Sequence, residues 1–133
     1  MKHQKGNNLT KMKNYSGQCH CGAIRFEFTG ETITAAMRCN CSICRRKNAI
    51  MSQQYYPADS FKIISGKECL TIYRFEPELV NHYFCKHCGI YPFHDGVANP
   101  GIYRINLCCV DELEPWQLPI RIFDGKDSWK YLN

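Results

Sequence analysis

Cys39-Asn40-Cys41-Ser42-Ile43-Cys44 places three thiols within six residues, and Arg45-Arg46-Lys47 follows at once. Three cysteines can hold a zinc ion while leaving its fourth tetrahedral position without a local ligand. Structural zinc sites are closed by four protein ligands, whereas catalytic ones keep a position for water or substrate. Two further pairs, Cys19/Cys21 and Cys85/Cys88, bear on which kind this is. Cys85-Lys86-His87-Cys88-Gly89 has the spacing with which a tight turn presents two thiols to one ion, and Gly89 permits the left-handed backbone such turns need. Cys19 and Cys21 fit as alternate residues of an extended segment, which face the same side. His20 then points away, and His87 is expected exposed. On spacing alone Cys85/Cys88 can be completed by Cys19/Cys21 or by Cys41/Cys44. A thioredoxin-like role for Cys41/Cys44 lacks the surrounding βαβ pattern. Cys69, Cys108 and Cys109 are expected to be buried thiols that pack as small hydrophobes.

The elements that must position these residues are short strands. The chain has 133 residues, enough for one domain with a real core, and its 44% hydrophobic and 13% aromatic content is that of a globular protein. Ser16-Gly17-Gln18 is expected to turn, and Ala23–Thr29 alternates apolar and polar up to Gly30. Strands are then expected over Thr32–Arg38, Ala49–Tyr56, Phe61–Ser65, Leu70–Phe75, Val80–Phe84, Ile90–His94, Ile102–Leu107 and Ile120–Phe123. A short helical turn is expected over Arg45–Lys47. No segment shows sustained helical periodicity, so the expectation is a mainly β, single-domain protein. Residues 1–14 are expected to be a flexible polar and basic tail, leaving 15–133 as the domain.

The net charge of +5 is unevenly spread: nine Lys/Arg against two Glu up to Lys47, and eight against ten Asp/Glu beyond it. A basic cluster beside the triplet would attract an anionic substrate, or nucleic acid. No apolar run reaches membrane-span length, and no apolar stretch of a secretion signal opens the chain. The expected compartment is the cytoplasm, where ten cysteines are metal ligands rather than a disulfide framework.

Gly17-x-Cys-His-Cys-Gly22, Cys39-x-Cys-Ser-x-Cys-Arg-Arg46, Phe84-Cys-x-x-Cys-Gly-x-Tyr91 and Tyr103-x-Ile-Asn106, in that order, resemble the glutathione-dependent formaldehyde-activating enzyme family, whose domain centromere protein V shares. The resemblance implies a β-tent fold of short antiparallel strands around two zinc ions per chain. It implies a structural site at Cys19, Cys21, Cys85 and Cys88 and a catalytic one at Cys39, Cys41 and Cys44. Two positions depart from the family pattern: Arg121 stands where a His is usual, and Ser128 replaces the Pro of Lys-x-Pro-Trp.

Three thiolates give a zinc site a formal charge of −1, which weakens hydrolytic Lewis-acid chemistry and suits a soft fourth ligand. The expected activity is therefore that of a zinc-dependent carbon–sulfur lyase. It would form or cleave an adduct between a small-molecule thiol, such as glutathione, and an aldehyde, such as formaldehyde. Arg45, Arg46 and Lys47 are candidate binders of the substrate carboxylates, and His94 is a candidate proton relay. One alternative is a second closed zinc site completed by His82 or His94. Another is a non-enzymatic module that binds nucleic acid or an acidic protein through the tail and Arg45–Lys47, with Tyr55 and Tyr56 for stacking.

Overall fold

The computed structural model describes residues 11–133. Ten strands form three small sheets: β1 (Met12–Gln18), β2 (Arg25–Glu31) and β5 (Phe61–Ser65) in the order β1-β2-β5; β3 (Ala36–Cys39), β4 (Met51–Ser52) and β10 (Ile120–Phe123) in the order β10-β3-β4; and β6 (Leu70–Tyr73), β7 (Val80–Cys85), β8 (Phe93–Gly96) and β9 (Tyr103–Ile105) in the order β6-β7-β8-β9. The mainly β, single-domain expectation holds. All strand pairs are antiparallel except β10 with β3, which is parallel.

Residues 1–10 of the expected tail lie outside the described residues. The tail boundary at residue 14 is corrected: Met12, Lys13 and Asn14 already belong to β1, pairing with Glu31, Gly30 and Thr29. Their side chains are exposed, so the stretch carries no apolar alternation, and only pairing with β2 makes it a strand. Gly30 accordingly lies inside β2 rather than ending it. Of the segment expected as one strand over 49–56, Met51–Ser52 forms β4 and Tyr56 makes an isolated bridge to Tyr103, while Ala49 and Ile50 are buried packing residues outside any strand.

Packing is dominated by aromatic rings from β1, β2, β5 and β8. Phe26 stacks on Phe61 at 5.7 Å and meets the edge of Phe93 at 5.4 Å, while Tyr15 stacks on Phe28 at 5.1 Å. These alternate positions of the strands face one side and go fully out of water. Complete burial of such a side chain stabilises by about 1.5–3 kcal/mol.

The single α-helix among the described residues, α1 (Ser42–Lys47), is longer than the expected turn and starts inside the triplet. Arg45, Arg46 and Lys47 occupy its last turn, where positive charge complements the carbonyl end of the helix. Asn48 stops it in the left-handed conformation, with its N–H on the Cys44 carbonyl. No helix among the described residues is long and apolar enough to cross a membrane.

Two cysteine clusters and an apolar cavity

The structure gathers seven cysteines into two groups whose sulfurs lie within 4.8 Å of one another: Cys19/Cys21/Cys85/Cys88 and Cys39/Cys41/Cys44. The open choice of partner for Cys85/Cys88 is thereby decided. β7 ends at Cys85 and turns back through Gly89 at φ +78°, with the Gly89 N–H on the Cys85 carbonyl and the His87 N–H on the Cys85 sulfur. The segment between β1 and β2 makes the matching turn: the Cys19 N–H bonds the Ile24 carbonyl, and the Ile24 N–H points at the Cys19 sulfur. Cys19 and Cys21 therefore converge from a turn, not from alternate positions of a strand as expected. His20 and His87 are exposed.

The sulfur separations in this group are 3.7 Å for Cys19–Cys21 and 3.8 Å for Cys21–Cys85. Four sulfurs each about 2.3 Å from one tetrahedral zinc stand about 3.8 Å apart, so these distances fit that ion and exclude disulfides, whose sulfurs are about 2.05 Å apart. Burial opposes ionisation of Cys88, but N–H groups at Cys21 and Ile90 and the thiols of Cys85 and Cys19 outweigh it and bring its pKa down to about 6. A thiol poised this way is ready to lose its proton to a metal. Beside the cluster Cys69 is buried, as is Cys109; Cys108, expected buried, is exposed on a 3-10 turn.

The triplet sits where β3 runs into α1. The parallel register of β10 pairs Phe123 with Cys39, which brings Asn40 beside Asp124 and lays Gly125 against the thiols. Asn40 Nδ2 donates to Asp124 Oδ1 at 2.9 Å, and Asn40 Oδ1 accepts from the Lys126 N–H at 3.0 Å. Asp124 also accepts from the Ser128 N–H at 3.0 Å and the Ser128 hydroxyl at 2.9 Å. At this departure from the family pattern, Ser128 thus supplies an N–H that a Pro does not have. A Cβ on Gly125 would stand 2.5 Å from the Cys39 sulfur, so only glycine lets the backbone approach the triplet this closely. Arg121 turns the other way, onto the Tyr131 ring and the Asn133 carbonyl.

Within the triplet the neighbouring Cys44 thiol, with the N–H groups of Cys41 and Gly125, pulls the Cys39 pKa down to about 5 against burial. Cys44 is pushed up in turn, by Cys39 and by burial, with Lys47 opposing. Lys47 Nζ lies 3.3 Å from the Cys44 sulfur and 4.6 Å from the centre of the Tyr91 ring. These donors fit one soft divalent metal ion. No imidazole nitrogen belongs to the cluster; His82 and His94 line the same cavity without joining it.

Instead, the triplet forms one wall of a cavity of about 480 Å³ between the β10-β3-β4 sheet and the β6–β9 sheet. None of the other four clustered cysteines lines it. Val80 and His82 reach it from β7, His94 from β8, Arg104 from β9, and Lys47 from α1. His82 Nδ1 is hydrogen-bonded to the Tyr91 hydroxyl at 2.5 Å. His94 Nδ1 is buried without a partner, and burial, followed by the charges of Lys47 and Arg104, lowers its pKa to about 3. Burial, then Lys47, lowers His82 to about 4. Both imidazoles are therefore neutral at pH 7.

Of the three expected substrate-binding cations only Lys47 lines the cavity. Arg45 and Arg46 are exposed on the outer side of α1, with Arg46 Nη1 returned to the Ser42 carbonyl. Tyr56 is buried, so the stacking surface considered for nucleic acid keeps only Tyr55. Arg104 and Lys126 line the cavity without having been candidates. Arg104 follows the apolar–polar alternation of its strand, which marks it as outward-facing; nothing local shows that its outside is a cavity.

The sequence matches the family described as glutathione-dependent formaldehyde-activating enzyme over residues 14–126. The chain belongs to this family. A crystal structure of a Rhodobacter sphaeroides protein, a structural-genomics target, is similar to it with a TM-score of 0.68 and 34% identity, covering 79% of this chain and 98% of that one. Family membership and the two clusters together support thiol–aldehyde adduct chemistry and zinc binding, with both expected cysteine sets assembled as metal-ligand groups.

Proposed function

We propose that the protein is a zinc-dependent carbon–sulfur lyase that forms or cleaves a thiol–aldehyde adduct such as S-(hydroxymethyl)glutathione. The observation that carries this reading is the asymmetry of the clusters: the three-thiol group lines the cavity of about 480 Å³, and the four-thiol group does not line it. A zinc ion held by Cys39, Cys41 and Cys44 would supply one further position at which a substrate sulfur binds and loses its proton. Cys19, Cys21, Cys85 and Cys88 would hold a second zinc with a structural role.

The chain's own residues do the rest. Lys47, against Cys44, offsets the negative charge the thiolates concentrate there. The apolar walls exclude water, which would otherwise compete with the thiol for the carbonyl carbon. In the synthetic direction a sulfur lone pair forms the carbon–sulfur bond and the carbonyl π pair moves to oxygen. The proton lost by the thiol ends on that oxygen; cleavage reverses each step. His94, neutral and with Nδ1 unpartnered, is placed to accept a hydrogen bond from the hydroxyl, and its low basicity suits it to orient that proton rather than to keep it. Of the expected cations, Lys47 retains a substrate-side role; Arg104 and Lys126 join it in place of Arg45 and Arg46.

Cobalt substitution tests the reading. Two metal equivalents per chain are expected, and glutathione should change the absorption of only the cobalt removed by Cys44→Ser. One metal per chain, or a spectrum unmoved by every thiol, would overturn it.

A further inference from the structure

The cavity is far larger than a one-carbon aldehyde needs, and its chemistry is uneven. Ligands of drug size occupy pockets of roughly 300–1,000 Å³, lined by apolar groups with a few polar ones that set orientation; at about 480 Å³ this cavity is of that class. The apolar part of its walls beyond the triplet includes Met37, Met51, Phe75, Leu79, Phe123 and Trp129. Phe75, Leu79 and Trp129 remain 37%, 60% and 66% exposed, so apolar surface extends from the interior to the mouth. Among the described residues the lining includes the cations Lys47, Arg104 and Lys126 but no Asp or Glu.

These cations are not equivalent. Lys47 is engaged by the Cys44 sulfur, and Lys126 is exposed on the 124–129 loop. Arg104 is half-buried, steadied by the Gln53 carbonyl at 3.1 Å and by the Tyr55 ring 4.2 Å from its guanidinium carbon. Both contacts fix its plane, and neither neutralises its charge. A guanidinium withdrawn from water costs free energy until an anion meets it, and its planar donors match a carboxylate. His94 stands directly opposite Arg104 across β8 and β9, so both side chains are on one face of the sheet.

We infer that the thiol substrate is a hydrophobic thiol acid: an aryl or branched alkyl body in the apolar cavity, a sulfur at the triplet and one carboxylate on Arg104. The inference rests on the lyase reading and narrows its substrate. Glutathione fits less well, because its ammonium group finds no carboxylate in the lining and its two amides would face apolar walls.

The test uses the full-length metal-loaded protein with three probes: 3-phenyl-2-sulfanylpropanoate, the neutral 2-phenylethanethiol, and glutathione. Binding is read from Trp129 fluorescence in a Trp116→Phe background, and from the cobalt spectrum. The aryl thiol acid is expected to bind at least about tenfold tighter than glutathione. Arg104→Gln should weaken the acid about tenfold, as loss of a charge-assisted hydrogen bond does, and leave 2-phenylethanethiol within about twofold. Retained binding of the neutral thiol shows that the variant is folded, and Arg104→Lys should recover part of the loss. Glutathione binding as tightly as the aryl acid, or equal losses for acid and neutral thiol in Arg104→Gln, would overturn the inference while a normal cobalt response leaves the lyase reading standing. A cobalt spectrum unmoved by all three probes overturns both.

Discussion

The two cysteine clusters are built in opposite ways. Cys19/Cys21 and Cys85/Cys88 lie far apart in the sequence, yet everything their chemistry needs is supplied by two turns: converging sulfurs, N–H groups aimed at them, and two ligands wholly out of water at 1% and 0% exposure. Cys39, Cys41 and Cys44 are contiguous, but their setting is assembled from elsewhere. Gly125 comes from the segment after β10, His94 and Arg104 from β8 and β9, and the apolar mouth from the β6–β7 connection together with Trp129. A cluster that staples distant strands together can be finished locally, because a filled tetrahedral shell asks for nothing more. A cluster that must receive a substrate needs walls, and walls come from other sheets.

The contrast is broken most severely at Cys85. Cys85→Ser is expected to leave the chain largely unfolded by circular dichroism at 25 °C. A structural zinc contributes roughly 10–16 kcal/mol in small zinc domains, as much as the whole of a domain's net stability of about 5–15 kcal/mol. Cys44→Ser should instead keep a native spectrum and one tightly bound zinc while adduct formation, followed by nuclear magnetic resonance, is lost. If the two variants unfold alike, the division into a stapling cluster and a working cluster fails.

A smaller effect is expected at Gly125. Gly125→Ala drives a methyl group toward the Cys39 sulfur and displaces the N–H that helps hold it ionised. Metal affinity of the triplet, measured by competition with a chelator, should fall roughly 10–100-fold, the usual consequence of disturbing the surroundings of a ligand. The four-cysteine site should keep its affinity. Equal weakening of both would mean that the loop supports the fold rather than the triplet.

The smallest effect concerns His94. Its pKa is lowered to about 3 in the folded protein against about 6.5 when unfolded. Between those values the unfolded chain binds more protons, so stability rises with pH: the contribution is complete above about 6.5 and is lost progressively as the pH falls toward 3. Urea unfolding at pH 7.5 and 5.5 should show His94→Gln losing about 1 kcal/mol less stability than the parent over that interval. An unchanged difference would mean that the imidazole is not held neutral.

Much of the scaffold is legible without coordinates. β5 and β10 occupy the spans their apolar composition predicts, and Cys85–Gly89 forms the turn its spacing predicts. β1 was not legible, because Met12, Lys13 and Asn14 are all exposed and show no apolar–polar alternation, so the stretch becomes a strand only through its neighbour. The same limit hid the cavity: Arg104 looks outward in its own strand and inward in the molecule.

Spacing alone determined which residues could act as soft donors, that Cys85/Cys88 could meet one ion from a single turn, and that the triplet fell one ligand short of a closed shell. Those are properties of a few adjacent backbone dihedrals. Tertiary structure decided that Cys19/Cys21, not Cys41/Cys44, face Cys85/Cys88, that the parallel pairing of β10 with β3 seats Gly125 on the triplet, and that Lys47 rather than Arg45 or Arg46 enters the cavity. Each of these depends on which surfaces far apart along the chain are pressed together to exclude water, and no local pattern encodes that choice.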